Sequence, residues 1–262
     1  MTLVLTEVSC FGVAMAADSA VTFGSGRVYV GAQKLLPIPQ IDAGISIWGK
    51  GNINGNDADI WLQSFIENNI PNGMPLWDAA NVLADSLNNA FGGVISERMG
   101  IHVGGFDQKD EIRGLSFYHI HNGHYHLEYR NGSVKEIPDE SPPIREFRAH
   151  SDRPPAIYSP SDTPKLTRNG DFSIFAFLYD TITPLFKDIQ NQTGLTFPYP
   201  AGLASRGEYL RFWIKTITEI YRLSNARRRV LPQPVTAGDA SIGGPVTVLT
   251  ISESGIESFY TK

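Results

Sequence analysis

Residues 2 to 48 contain four short apolar runs in close succession, Leu3-Val4-Leu5, Val13-Ala14-Met15-Ala16, Val28-Tyr29-Val30 and Ile45-Ser46-Ile47. Turn signals at Phe11-Gly12, Gly24-Ser25-Gly26 and Asp42-Ala43-Gly44 separate them, so the chain start reads as β structure folded back on itself at tight turns. Helical spacing follows. Ala58, Trp61, Leu62, Phe65 and Ile66 predict a helix over residues 57 to 69, with Asn56 or Asp57 as N-cap and Pro71 beyond its end. Ala80, Leu83, Ala84, Leu87 and Phe91 predict a second over 76 to 91, stopped by Gly92-Gly93. Strand patterns return at residues 101 to 103, 112 to 121 and 124 to 130, the last two joined by Asn122-Gly123 as a two-residue hairpin. Two more helices are predicted over 172 to 189, kinked at Pro184, and over 209 to 224, before closing strands at 246 to 251 and 256 to 260.

This order favours packed sheets flanked by helices over alternating βαβ units. The expectation is an α+β fold: one domain over residues 1 to 262, a four-layer αββα sandwich of antiparallel sheets. Residues 137 to 165 carry seven prolines and no apolar period, and read as an irregular surface insertion. No internal repeat is present.

At 262 residues and 42% hydrophobic content the chain can bury a real core. Lys plus Arg is 22 against 27 for Asp plus Glu, which gives no general grip on phosphates or anionic lipid, so nucleic acid is not an expected partner. The cluster Arg227-Arg228-Arg229 follows a predicted helix, where positive charge offsets the dipole. A lone cysteine, Cys10, fits a reducing compartment. The apolar opening has no Lys or Arg before Arg27 and carries Glu7, unlike a signal peptide, and no run reaches the roughly 18 apolar residues of a membrane span. A soluble, cytoplasmic protein without membrane contact is expected.

If residues 2 to 8 pair antiparallel with 13 to 18, Asp18 returns beside Thr2, and a second turn at the glycines 24 and 26 brings Lys34 towards the same end. A small residue after Met1 usually permits removal of the initiator methionine, leaving a free threonine amine. Its pKa of roughly 7.7 to 8.0 lets it take the proton of its own hydroxyl, so nucleophile and base are one residue. A Lys34 cation favours alkoxide and neutral amine, and Asp18 positions the lysine and keeps it charged.

Thr2, Ala16-Ala17-Asp18-Ser19, Thr22 and Lys34 resemble the motifs of the proteasome β-subunit and HslV peptidase family, threonine members of the N-terminal nucleophile hydrolases. The resemblance implies a bacterial-type proteasome homologue with the N-terminal nucleophile hydrolase fold and threonine peptidase activity. It implies Thr2 as nucleophile, Asp18 and Lys34 as its supports, and Thr22 on the strand that pairs with substrate. It assigns the oxyanion hole to Gly49, after Gly44-Ile45-Ser46-Ile47-Trp48, and a second aspartate and a serine to Asp239 and Ser241, before Gly243-Gly244-Pro245-Val246. Asn169-Gly170-Asp171 stands where the family places a serine before its third helix. Peptides or unfolded proteins are the implied substrates, in a homo-oligomeric ring served by an ATPase unfoldase. Two other readings stay open: a non-catalytic structural subunit, and a small-molecule amidase or acylase of the same superfamily.

No metal or cofactor is expected. His119, His121, His124 and His126 flank the Asn-Gly turn on one face and read as an exposed hairpin face. Asn52, Asn54, Asn56, Asp57 and Asp59 lack the glycine and glutamate of a calcium loop. Gly49-Lys50-Gly51 does not complete a phosphate loop.

Overall fold

A computed structural model describes residues 2–22, 28–92, 98–109, 112–123, 125–130, 133–138, 146–170, 173–197, 202–223 and 242–262. Their elements run β1 (Leu3–Ser9), β2 (Gly12–Ala17), β3 (Ala20–Thr22), β4 (Val28–Val30), β5 (Leu35–Ile38), β6 (Ala43–Trp48), β7 (Asn52–Ile53), β8 (Asn56–Asp57), α1 (Ala58–Asn69) and α2 (Leu76–Phe91). Then come β9 (Gly100–Lys109), β10 (Ile112–His121), β11 (Tyr125–Arg130), β12 (Ser133–Pro138), β13 (Arg148–Ala156), β14 (Lys165–Gly170), α3 (Ser173–Thr193), α4 (Leu203–Leu223), β15 (Thr247–Ser252) and β16 (Gly255–Thr261).

Two five-stranded sheets, ordered β14-β1-β2-β15-β16 and β13-β10-β9-β6-β5, carry the architecture, and neighbouring strands in both run antiparallel. Strand alternation sorts their side chains into three apolar layers. Leu3 and Leu5 of β1 pack with Phe175, Leu210, Trp213, Ile214 and Ile217 of α3 and α4. Val4 and Val8 face the other way, into a layer with Met15, Leu249, Leu115 and Phe117 between the sheets. Ile45, Ile47, Ile101, Val103 and Ile120 of the second sheet pack with Leu62, Phe65, Ile66, Leu83 and Leu87 of α1 and α2. Three interfaces make four layers, αββα. Gly44 and Gly104, paired across β6 and β9, set how closely the sheets approach, since a Cβ on Gly44 would lie 2.2 Å from Leu249 and one on Gly104 3.0 Å from Val13. Among the described residues no helix is long and apolar enough to cross a membrane.

Helix α2 follows Pro75, which offers no side-chain cap, and the cap comes from across the chain. Buried Asp107 of β9 accepts hydrogen bonds from the Leu76 and Trp77 N–H groups, both at 3.0 Å, and from the Tyr118 hydroxyl at 2.5 Å. Burial first, and this carboxylate second, push the Tyr118 pKa upward. Asp107→Ala is expected to cost about 2 to 3 kcal/mol by orphaning these donors, and Asp107→Asn less. Urea denaturation reads the difference; a loss for Asp107→Ala below about 0.5 kcal/mol would refute the capping role.

Three expectations need correction. Residues 137 to 165 are not wholly irregular: β13 lies inside the stretch as an edge strand, where Pro154 and Pro155 cost little because an edge needs fewer ladder donors. Asn122-Gly123 does not close a hairpin between β10 and β11. Both edges of β10 are taken, by β9 and β13, and β11 pairs with β12 instead. Asn122 is buried, and its Oδ1 accepts the Met99 N–H at 2.9 Å just before β9. Helix α4 begins six residues before the expected start at Tyr209; it contains Gly207, where a Cβ would lie 2.8 Å from Val248 of the sheet beneath.

Candidate active site

The β1–β2 hairpin sets the site. Its register pairs Val4 with Ala17, so the next residue, Asp18, arrives beside Leu3 and the start of the strand that follows Thr2. The Leu3 N–H donates to Asp18 Oδ1 at 3.0 Å, and the Asp18 N–H donates to the Leu3 carbonyl at 3.3 Å. Lys34, between β4 and β5, donates through Nζ to Asp18 Oδ1 at 3.0 Å and also to the Ala20 carbonyl. The Lys34 carbonyl in turn accepts the Ile47 N–H at 2.9 Å, which ties the lysine to β6. Asp18 Oδ2 accepts two further N–H groups, from Ala20 at 3.2 Å and from Gly243 at 3.1 Å.

One carboxylate thus gathers the chain start, the lysine and the segment before β15. Thr2, Asp18 and Lys34 are 6%, 1% and 6% exposed, so this ion pair works away from bulk water. Burial lowers the Lys34 pKa below its ordinary value, against the opposing pull of Asp18. Gly170, at the end of β14, closes the other side: it has φ +89°, and a Cβ there would lie 1.9 Å from the Thr2 carbonyl oxygen. Only glycine fits between β14 and the chain start.

Thr22 is the last residue of β3 and pairs with Val28. Gly49 follows β6 on the exposed surface with φ +93°, and a Cβ there would lie 2.3 Å from the Arg98 carbonyl. Asp239 and Ser241 lie outside the described residues. The amide of Gly243 and the close fit of Gly170 were missed in the sequence, where the only signals were a Gly-Gly pair before a strand and a glycine before a helix.

The histidines are arranged otherwise than on an exposed hairpin. His124 lies outside the described residues. His102, His119 and His150 stand side by side across β9, β10 and β13, and His102 is fully buried. The Asn169 amide donates to Nε2 of His102 at 2.7 Å and of His119 at 3.2 Å, leaving His102 Nδ1–H to donate to Thr6 Oγ1 at 2.9 Å. Burial pushes His102 down to about 3, and burial with the neighbouring imidazoles lowers His119, so both are neutral. Among the described residues no group of three or more potential ligands is placed to hold a metal ion.

Anbu proteins are among the solved structures that align with the whole chain. Anbu (ancestral β-subunit) from Yersinia bercovieri is 15% identical with a TM-score of 0.51, and the Gly-1 mutant of Anbu from Hyphomicrobium sp. strain MC1 is 12% identical with a TM-score of 0.50. Each alignment covers 100% of this chain and 86% of the other. The fold is that of Anbu. No protein-family model and no curated protein matches the sequence. The Anbu likeness shows a mixed α+β fold of N-terminal nucleophile hydrolase type. It also corrects the resemblance to proteasome β-subunits and HslV, because these structures, which align with the whole of this chain, are Anbu. Three spaced residues near a chain start mark a local hairpin geometry that different families can share, whereas the alignment spans every layer.

Proposed function

We propose that this chain is an amide-bond hydrolase whose nucleophile is Thr2, freed as the N-terminal residue by removal of Met1. The observation that carries the reading is the buried Asp18 carboxylate, which binds the Leu3 N–H next to Thr2 and the Lys34 ammonium at once. The Thr2 α-amine takes the hydroxyl proton, Oγ adds to the substrate carbonyl, and the tetrahedral oxyanion forms. Lys34 stabilises the negative charge developing near it, and the Gly49 N–H is assigned as oxyanion donor. The protonated amine then gives its proton to the leaving nitrogen as the C–N bond breaks. Water, deprotonated by the same amine, releases the acyl group and restores the threonine.

Peptides or unfolded chains are the substrates in this reading. The description of the Yersinia protein as an ancestral β-subunit supports self-association of this chain as well, which sedimentation velocity reads directly. The deciding experiment is intact mass spectrometry after exposure to a peptide epoxyketone, which captures hydroxyl and amine of an N-terminal threonine together. Loss of Met1 and one adduct, absent in Thr2→Ala, is the expected result. Retained Met1 without adduct, or an adduct that persists in Thr2→Ala, would overturn the proposal.

A further inference from the structure

β13 and β14 are edge strands of the two sheets, and a cleft of about 380 Å³ opens between them. Asp152 and Arg153 line it from β13, and Leu166, Thr167, Arg168 and Asn169 from β14. In a regular strand Asp152 and Arg153, as neighbours, would point to opposite faces. Here the register against β10 slips: Phe117 pairs with Arg153 and His119 with His150, so three steps on β13 oppose two on β10. That extra residue is a β-bulge, the device by which strands re-aim side chains beside binding sites. It brings an acid and a base to line one cleft.

The Arg153 charge acts on Asp152, yet its guanidinium keeps hydrogen-bonding capacity to spare. Arg153 donates through Nη1 to the main-chain carbonyl of Asp152 at 2.9 Å, while its buried Nε has no hydrogen-bond partner. The imidazole of His119, 3.9 Å from the Asp152 carboxylate, is neutral and supplies no counter-charge. Thr167 and Asn169 line the opposite wall from β14, whereas the Arg168 guanidinium lies over the Phe175 ring at 5.7 Å, on the helix side of that sheet. The volume falls at the small end of ligand pockets.

We infer that this cleft is a binding site for a zwitterionic ligand of amino-acid to dipeptide size, its carboxylate held by Arg153 and its ammonium by Asp152. Planar guanidinium groups suit a carboxylate in paired hydrogen bonds, and an ammonium suits the single carboxylate of Asp152. Burial raises the Asp152 pKa, with His150 and Arg153 opposing, and an incoming ammonium would favour its ionised form in the same way. The assignment is independent of the Thr2 chemistry, since neither Thr2 nor Lys34 lines the cleft.

Calorimetric titration of the full chain as Thr2→Ala, which removes turnover of the probe, tests the site with Gly-Leu, N-acetyl-Gly-Leu and Gly-Leu amide. Gly-Leu is expected to bind at least about tenfold more tightly than either blocked form, as loss of one charge-assisted contact predicts. Arg153→Gln should erase the difference between acid and amide while keeping that between free and acetylated amine, and Asp152→Asn should do the reverse. Equal affinity for all three probes, no saturable binding of Gly-Leu up to about 10 mM (a standard free energy near 3 kcal/mol), or variants that leave both differences intact would overturn the proposal. The three probes on the unsubstituted cleft decide it even if a variant fails to fold.

Discussion

Replacing Asp18 by alanine is expected to cost about 3 to 5 kcal/mol of stability, the range for breaking a buried ion pair from one side. The Lys34 ammonium would keep its desolvation with no counter-charge, and the N–H groups of Leu3, Ala20 and Gly243 would lose their acceptor. These donors come from three separated segments, so the loss loosens the chain start, the β3 entry and the β15 entry together. Asp18→Asn keeps an oxygen for one or two N–H groups but no charge for Lys34, and should fall between wild type and Asp18→Ala. Guanidinium denaturation followed by tryptophan fluorescence gives the ranking. A loss below about 1 kcal/mol for Asp18→Ala would mean that Asp18 is an ordinary buried loop residue.

Lys34→Met should lower the rate of epoxyketone capture by about 10²- to 10⁴-fold, the usual worth of a group that assists proton transfer or develops charge contacts in a transition state. The apolar stem is kept, so packing around β5 changes little. The pH profile carries the mechanism. In the wild-type protein the rate should rise as the Thr2 amine deprotonates, near roughly pH 7.7 to 8.0, and fall again as Lys34 loses its proton, below its ordinary 10.5. In Lys34→Met the falling limb should vanish while the rising limb stays. The stability sign follows from the same shift: between the folded Lys34 pKa and 10.5 the unfolded chain binds more protons, so this group's cost is full at low pH and is relieved as pH rises through that window. Capture by Lys34→Met at the wild-type rate, with the falling limb intact, would remove the lysine from the mechanism.

Much of this molecule is legible along the chain because its signals are local. The apolar periodicity of α1 and α2 selects one buried face, and Gly92 ends α2 in the left-handed conformation with φ +66°. The short turn at Cys10 and Phe11 fixes the β1–β2 register, and that register alone carries Asp18 to the start of β1. What was misread depended on competition between distant segments. Asn122-Gly123 has the composition of a hairpin turn, yet a turn cannot pair β11 with a strand whose two edges are already occupied. The proline-rich stretch lacks a period, yet β13 forms because an open edge of β10 was waiting for it. The histidines alternate along β10 as the sequence shows, but their burial depends on β1 and β14 of the opposite sheet, which supply Thr6 and Asn169.

The sequence by itself therefore determined helices α1 and α2, the α+β class and the short hairpin that places Asp18, since each rests on signals between near neighbours in the chain. Tertiary structure alone decided which edges pair, that Gly243 and Gly170 close around the chain start, and that a bulge in β13 turns Asp152 and Arg153 into one cleft. Those outcomes depend on which backbone groups remain unpaired, and on how closely two sheets approach, once every strand has found its partner; no local pattern encodes that.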